Sequence, residues 1–137
     1  MNILYTAEAT AWGGREGRSA STDGVLDLML AVPKELGGPG GATNPEQLFA
    51  VGWASCFHSA LKLVARQAKV DVSESAVTAR VGLVVNDDGA FNIAAELEAE
   101  LPDVDRTVAE DLVARAHKVC PYSNATRGNV EVSLTVV

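Results

Sequence analysis

The chain has 137 residues, 47% of them hydrophobic, and a formal net charge of −7. That length suits one domain, residues 1–137, with a core of its own. The acidic balance, with no basic cluster, argues against nucleic acid or an anionic membrane as partner.

Cys56 and Cys120 are the only cysteines. So few suit a reducing compartment, where a cysteine pair is more often catalytic or redox-active than structural. The N-terminus, MNILYTAEAT, has no basic region and no long apolar run. No signal peptide is therefore expected, and the expected location is the cytoplasm.

Residues 2–12 alternate loosely around Ile3 and Tyr5 and predict a first strand. Gly13-Gly14-Arg15-Glu16-Gly17-Arg18 predicts a turn. No helix follows it, so it is not a phosphate loop, and on composition alone its arginines read as solvated. Residues 18–22 predict a short second strand. Asp23-Gly24 is a hairpin signal, and Val25–Val32 predicts a third strand with Leu26, Leu28 and Leu30 on one face. Gly37-Gly38-Pro39-Gly40-Gly41 is expected to be a mobile loop.

The central element is the helix that begins at NPEQLFAVGWASCFHSALKLV. Asn44 is placed to cap it, with Pro45 at the first helical position, where a missing N–H costs nothing. Glu46 suits the positive end of the helix dipole. Leu48 to Phe57 is apolar at almost every position, which predicts a helix buried all round. Lys62 follows too soon for this run to span a membrane. Gly52 lets another backbone approach closely. The helix is expected to end near Lys69.

A hairpin comes next. Val77, Ala79, Val81, Leu83 and Val85 alternate with outward residues, as do Phe91, Ile93, Ala95, Leu97, Ala99 and Leu101. Pleat parity sets Val85 opposite Phe91 and Arg80 opposite Glu96. Asp105 is then placed to cap a second helix whose core stripe runs Val108, Leu112, Ala116, Cys120. Pro121 disfavours helical geometry for Cys120 and stops that helix. His117 and Lys118 suit the negative end of its dipole. YSNATRG reads as irregular, and Asn129–Val137 as a last strand with Val130, Val132, Leu134 and Val136 inward. Three strands, helix, two strands, helix, strand make an α+β domain with helices on one sheet face.

Two cysteines in core helices can be inert hydrophobes. Metal binding is not indicated: there is no C-x-x-C, and neither His58 nor His117 makes a ligand spacing with a cysteine. His58 points about 200° away from Cys56 around the helix, so it reads as a polar residue rather than a base. Burial raises a thiol's pKa, so a reactive Cys56 needs a cation, and arginine is the one that cannot lose its charge.

The strings GGREGRS, DGVLDL, PKELGG, NPEQLFAVGWASCF and HKVCPYSNATRGNV occur in this order. In them the chain resembles the organic hydroperoxide resistance proteins, a branch of the larger family that includes the osmotically inducible bacterial proteins. The resemblance covers nearly the whole chain, apart from the hairpin around Asn86–Ala90.

It implies an OsmC-like fold: a three-stranded N-terminal sheet, a long buried central helix, a two-stranded hairpin, a second long helix and a C-terminal strand, in an intertwined dimer. It implies Cys56 as the peroxidatic cysteine and Cys120 as the resolving one. Arg15 would activate the thiolate and Glu46 would pair with Arg15, with Arg18 a weaker candidate. The implied activity is a thiol peroxidase that reduces an organic or lipid hydroperoxide through a Cys56 sulfenic acid and a Cys56–Cys120 disulfide. A dihydrolipoyl-bearing protein would be the reductant, and no metal, haem or flavin is called for.

Departures from the usual pattern are Trp53 for a tyrosine, His58 for an apolar residue and a shorter glycine loop before Thr43. Phe49, Trp53 and Phe57 would surround the peroxide's apolar tail. Glu46 and Cys56 lie about 15 Å apart along one helix. Arg15 and Glu46 are therefore expected to serve the Cys56 of a second copy, with Gly52 easing contact between the two central helices. The alternatives are a peroxidase of the osmotically inducible branch, or a non-enzymatic hydrophobic carrier or redox sensor.

Overall fold

A computed structural model describes residues 1–137. They form two compact units, Met1–Leu48 and Phe49–Val137. In the first, β1 (Ala9–Trp12), β2 (Arg18–Ser21) and β3 (Asp27–Met29) make an antiparallel sheet in that order. β1 is shorter than the expected residues 2–12 because its partner runs out. Ala9 pairs with Ser21, the Thr22 amide bonds to the Glu8 carbonyl, and there β2 turns away.

The Asp23-Gly24 turn is held by side chains. The Asp23 carboxylate accepts from the Val25 amide, and Ser21 Oγ accepts from the Leu26 amide. Both residues are thereby taken out of the expected Val25–Val32 strand. Leu30 instead makes a single parallel bridge with Thr43 and is buried.

α1 (Pro45–Gln67) starts where its cap predicts: Asn44 Oδ1 accepts from the Gln47 amide at 2.9 Å. It continues through the second unit as a helix buried along one stripe: Trp53, Phe57, Ala60, Leu61, Val64 and Ala65. The expectation of burial all round is corrected here, since Val51 is 65% exposed and Leu63 is exposed too. A sheet and a second helix cover this stripe and leave the opposite face of α1 uncovered within the chain. By length and mean hydropathy α1 could also cross a membrane, so the run is not too short as expected; its Trp53-to-Ala65 stripe lies in a protein core.

β4 (Ala76–Val85) and β5 (Phe91–Glu100) pair antiparallel, with Val85 opposite Phe91 and Arg80 opposite Glu96. Both pairs are as pleat parity requires. Arg80 also reaches the diagonal Glu98, at 2.8 Å against 3.5 Å for Glu96. β6 (Val132–Val136) joins β5 in parallel. A parallel neighbour needs a crossover, and α2 (Arg106–Val119) with α3 (Pro121–Thr126) supplies it. The inward residues of this sheet share one core with α1 and α2, and with Cys120.

The Asp105 side chain caps α2 by accepting from the Val108 amide. Cys120 is extended, with φ −62° and ψ 122°, as the following proline demands. One expectation is corrected at this end. Residues 121–126 are helical rather than irregular, because Pro121 takes the first helical position after an extended Cys120, as Pro45 does after Asn44. His117 and Lys118 stand in the last turn of α2 as expected, with the His117 pKa pushed down by burial and by the nearby Arg127. Arg127 itself donates to the His117 carbonyl.

Candidate active site

Arg15 and Glu46 form one cluster and Cys56 and Cys120 belong to another, each within one unit. In the first, Arg15 stands on a 3-10 turn, Gly14–Glu16, set between Gly13 and Gly17. Both glycines are required. Gly13 has φ +83°, and a Cβ on Gly17 would fall 1.8 Å from the Trp12 carbonyl oxygen.

The turn presents the Arg15 guanidinium edge-on to Glu46 in the first turn of α1. Nη1 donates to Oε2 at 2.8 Å and Nη2 to Oε1 at 2.6 Å. This is the bidentate geometry that a planar fork favours. Glu46 is the more buried partner, at 16% exposure against 40% for Arg15. The Arg15 hydrogen bonds hold the Glu46 carboxyl below the usual carboxylate range, against the opposing effect of burial. Arg18, the weaker candidate, is taken up elsewhere: it makes its own fork to Asp27 and lies over the Trp12 ring at 5.1 Å.

The second cluster holds both cysteines, each as a free thiol. Cys56 is half-buried on α1 and Cys120 fully buried at the α2–α3 junction. Burial pushes the Cys56 thiol above its ordinary pKa, and the neighbouring Cys120 side chain adds to the rise. The nearby Tyr122 backbone amide opposes the rise. A thiol raised in this way needs a positive charge nearby to become a nucleophile.

α3 docks against one face of α1, at Phe49, Gly52, Trp53 and Cys56, spaced i, i+3, i+4 and i+7. The Phe49 and Tyr122 rings meet edge-on, centroids 5.6 Å apart. A Cβ on Gly52 would come 2.6 Å from the Tyr122 hydroxyl. Trp53 Nε1 donates to Ser123 Oγ at 3.3 Å. Gly52 thus faces a tyrosine ring of α3.

Beside this dock is an almost wholly apolar pocket of about 370 Å³, lined by Phe49, Pro121, Tyr122, Ala125 and Thr126. Phe49 lines it as expected. Trp53 and Phe57 do not, being fully buried in the core. His58 bonds Ser75 Oγ at 2.9 Å. No three His, Cys, Asp or Glu side chains come together as a metal-ligating group.

Sequence reasoning missed Tyr122 and Ser123. Their signal was there, in a proline one residue past an extended cysteine and a glycine on α1 that demanded a close neighbour.

Comparison with known proteins places these clusters in context. A model of the OsmC-like protein family matches residues 38–135. An organic hydroperoxide resistance protein of Xanthomonas axonopodis pv. citri is 52% identical over 136 residues, covering 98% of this chain and 95% of that protein. The crystal structure of an organic hydroperoxide resistance protein from Legionella pneumophila superposes with a TM-score of 0.94 at 50% identity, covering 98% of each chain. That of OhrB from Bacillus subtilis does so at 0.91 and 44% identity, covering 98% of this chain and all of the other.

Proposed function

The chain belongs to the OsmC-like protein family and, within it, to the organic hydroperoxide resistance proteins, and on that premise we propose that it is a cysteine peroxidase reducing organic hydroperoxides to alcohols. Its role is in organic hydroperoxide resistance. The observation that carries the chemistry is the pair of free thiols, Cys56 on the face of α1 where α3 docks and Cys120 at the residue that leads into α3.

In the proposed cycle the Cys56 thiolate attacks one peroxide oxygen and the O–O bond breaks. The alkoxide takes a proton and leaves as alcohol, and Cys56 is left as a sulfenic acid. The Cys120 sulfur attacks it, water departs and a disulfide forms. A dihydrolipoyl group on a protein then reduces that disulfide by exchange. Arg15 supplies the fixed positive charge a buried thiol lacks, and Glu46 aims it. The apolar pocket beside Tyr122 takes the peroxide's tail. Two free cysteines support a reducing cytoplasm as the setting.

The active form is a homodimer in which Arg15 and Glu46 serve the Cys56 of a second copy. α1 is unbroken from Pro45 to Gln67. The ten residues from Glu46 to Cys56 therefore span about 15 Å of helix rise, too far for one hydrogen-bonded cluster. The exposed Val51 on α1 supports a partner there.

Dihydrolipoamide-dependent reduction of cumene hydroperoxide, compared with hydrogen peroxide, tests the activity. The organic peroxide is favoured by about fourfold for each methylene buried. No lipoyl-dependent turnover would leave the carrier or sensor reading. Mixing tests the dimer: Arg15→Ala and Cys56→Ser chains, each inactive, regain activity when refolded together. No recovery, or an active monomer of 14.3 kDa, would overturn the shared site.

A further inference from the structure

We propose that the buried Trp53–Ser123 hydrogen bond is the pin that holds the start of α3 against α1, and that it sets the rate at which Cys120 closes the disulfide on Cys56. The proposal rests on the peroxidase cycle above for its biological meaning, but its chemistry can be measured without a peroxide.

Cys120, Pro121, Tyr122 and Ser123 are consecutive, so one segment carries the resolving thiol, the ring that packs on Phe49 and Gly52, and the hydroxyl that meets Trp53. The backbone around Cys120 is anchored on both sides. Its amide bonds to the Ala116 carbonyl, and its carbonyl accepts from the Asn124 amide. What remains adjustable is how α3 as a whole seats on α1.

Three contacts seat it. Phe49 on Tyr122 is apolar, and Gly52 beneath Tyr122 is steric. Of these three only Trp53 to Ser123 is a hydrogen bond, so its direction constrains how α3 seats on α1. Both its side chains are fully buried, so no water replaces the bond when it is lost, and the surviving partner is left unsatisfied. Trp53 and Ser123 are positioning residues: neither is placed against the reacting sulfurs. They act on the second step, in which the Cys120 sulfur forms a bond to Cys56 and displaces whatever group the first step left there.

An aromatic disulfide, 5,5′-dithiobis(2-nitrobenzoate), separates the two steps. Cys56 attacks it and releases one thionitrobenzoate. Cys120 then attacks the resulting mixed disulfide, forms the Cys56–Cys120 bond and releases the second. Both releases are read by absorbance.

Trp53→Phe removes the donor and keeps a ring, and Ser123→Ala removes only the acceptor oxygen. In each, the second release slows about fivefold, the factor that one hydrogen bond amounts to, while the first stays within about twofold of wild type. A purely structural loss would lower thermal stability without changing the ratio of the two rates. Under excess cumene hydroperoxide the same variants accumulate more Cys56 sulfinic acid, because an unresolved sulfenic acid meets a second peroxide.

If Trp53→Phe does not fold, Ser123→Ala alone decides. Unchanged second-release rates in the folded variants would overturn the pin and leave the peroxidase intact. A wild type with no peroxide turnover, but with slowed second release in the variants, would sink the peroxidase and leave the pin standing.

Discussion

Gly52→Ala sets two opposing effects against each other at the α1–α3 contact. In an open helix the change stabilises by about 1 kcal/mol, because alanine has the better propensity. Here the added Cβ meets Tyr122 Oη at 2.6 Å and Cζ at 3.1 Å, where ordinary contact begins near 3.4 Å, so the ring has to retreat by about 0.8 Å. It cannot swing freely, with Phe49 edge-on to it and Trp53 inclined 39° at 6.5 Å.

Overpacking of this kind costs about 1–3 kcal/mol. Set against the propensity gain, that leaves a net loss of about 1 kcal/mol. For a chain of this size the loss lowers Tm by about 3–5 °C. Thermal melts at one fixed chain concentration, followed by circular dichroism, measure it for wild type, Gly52→Ala, Tyr122→Phe and the double variant. Removing the hydroxyl deletes the closest contact, so Tyr122→Phe recovers at least half of the loss in the Gly52→Ala background. A Gly52→Ala protein more stable than wild type, or a loss untouched by Tyr122→Phe, would refute the seating of Tyr122 on Gly52.

Glu46→Gln keeps the shape of the carboxyl but removes its charge; kcat/KM for cumene hydroperoxide falls about tenfold, allowing for the partial exposure of the pair, and an unchanged value would remove Glu46 from the site. Arg15→Lys, which keeps the charge but not the fork, retains more activity than Arg15→Ala in the same assay. Cys120→Ser stops after about one equivalent of peroxide, with a sulfenic acid at Cys56 that dimedone traps and mass spectrometry detects; continued turnover would show that Cys120 does not resolve. His58 is held below the ordinary imidazole value of 6.5 by burial and Lys62, and His117 by burial and Arg127. The unfolded chain therefore takes up protons first, and stability is full above about pH 6.5 and falls as pH drops through the lowered values. Urea midpoints at about pH 7.5 and 5.5 check this, with replacement of both histidines by glutamine shrinking the difference.

The parts of the fold legible in the sequence were those governed by neighbours along the chain. Asn44 and Asp105 cap their helices because a side-chain oxygen needs only the amide three residues on. The β4–β5 register follows from pleat parity, since a slip by one residue turns the core face outward. Cys120 ends α2 because Pro121 clashes with a helical predecessor. Where local patterning misled, the missing piece lay elsewhere. Ile3 and Tyr5 have the look of a strand, but β2 ends before it can pair with them. The helical Pro121–Thr126 was readable from its proline and was overlooked, because Ser, Asn and Thr also favour turns.

The sequence by itself determined the caps of α1 and α2, the β4–β5 register and the order of the main elements, but not the ends of β1 and β3 or the helix at 121–126. It also placed two cysteines on helices that join one core. Tertiary structure decided what the local string left open between two similar arginines: Arg15 makes the pair with Glu46 that the resemblance implied, while Arg18 closes on Asp27 across the β2–β3 strand pair. It alone decided that α3 seats on Phe49, Gly52, Trp53 and Cys56, which brings Cys120 and the Tyr122 amide to one thiol. The physical reason is one of range. Sterics and capping act over three or four residues and are written in the local string. A pairing across tens of residues depends instead on the path of the chain between them, which takes shape only when the apolar stripes find each other.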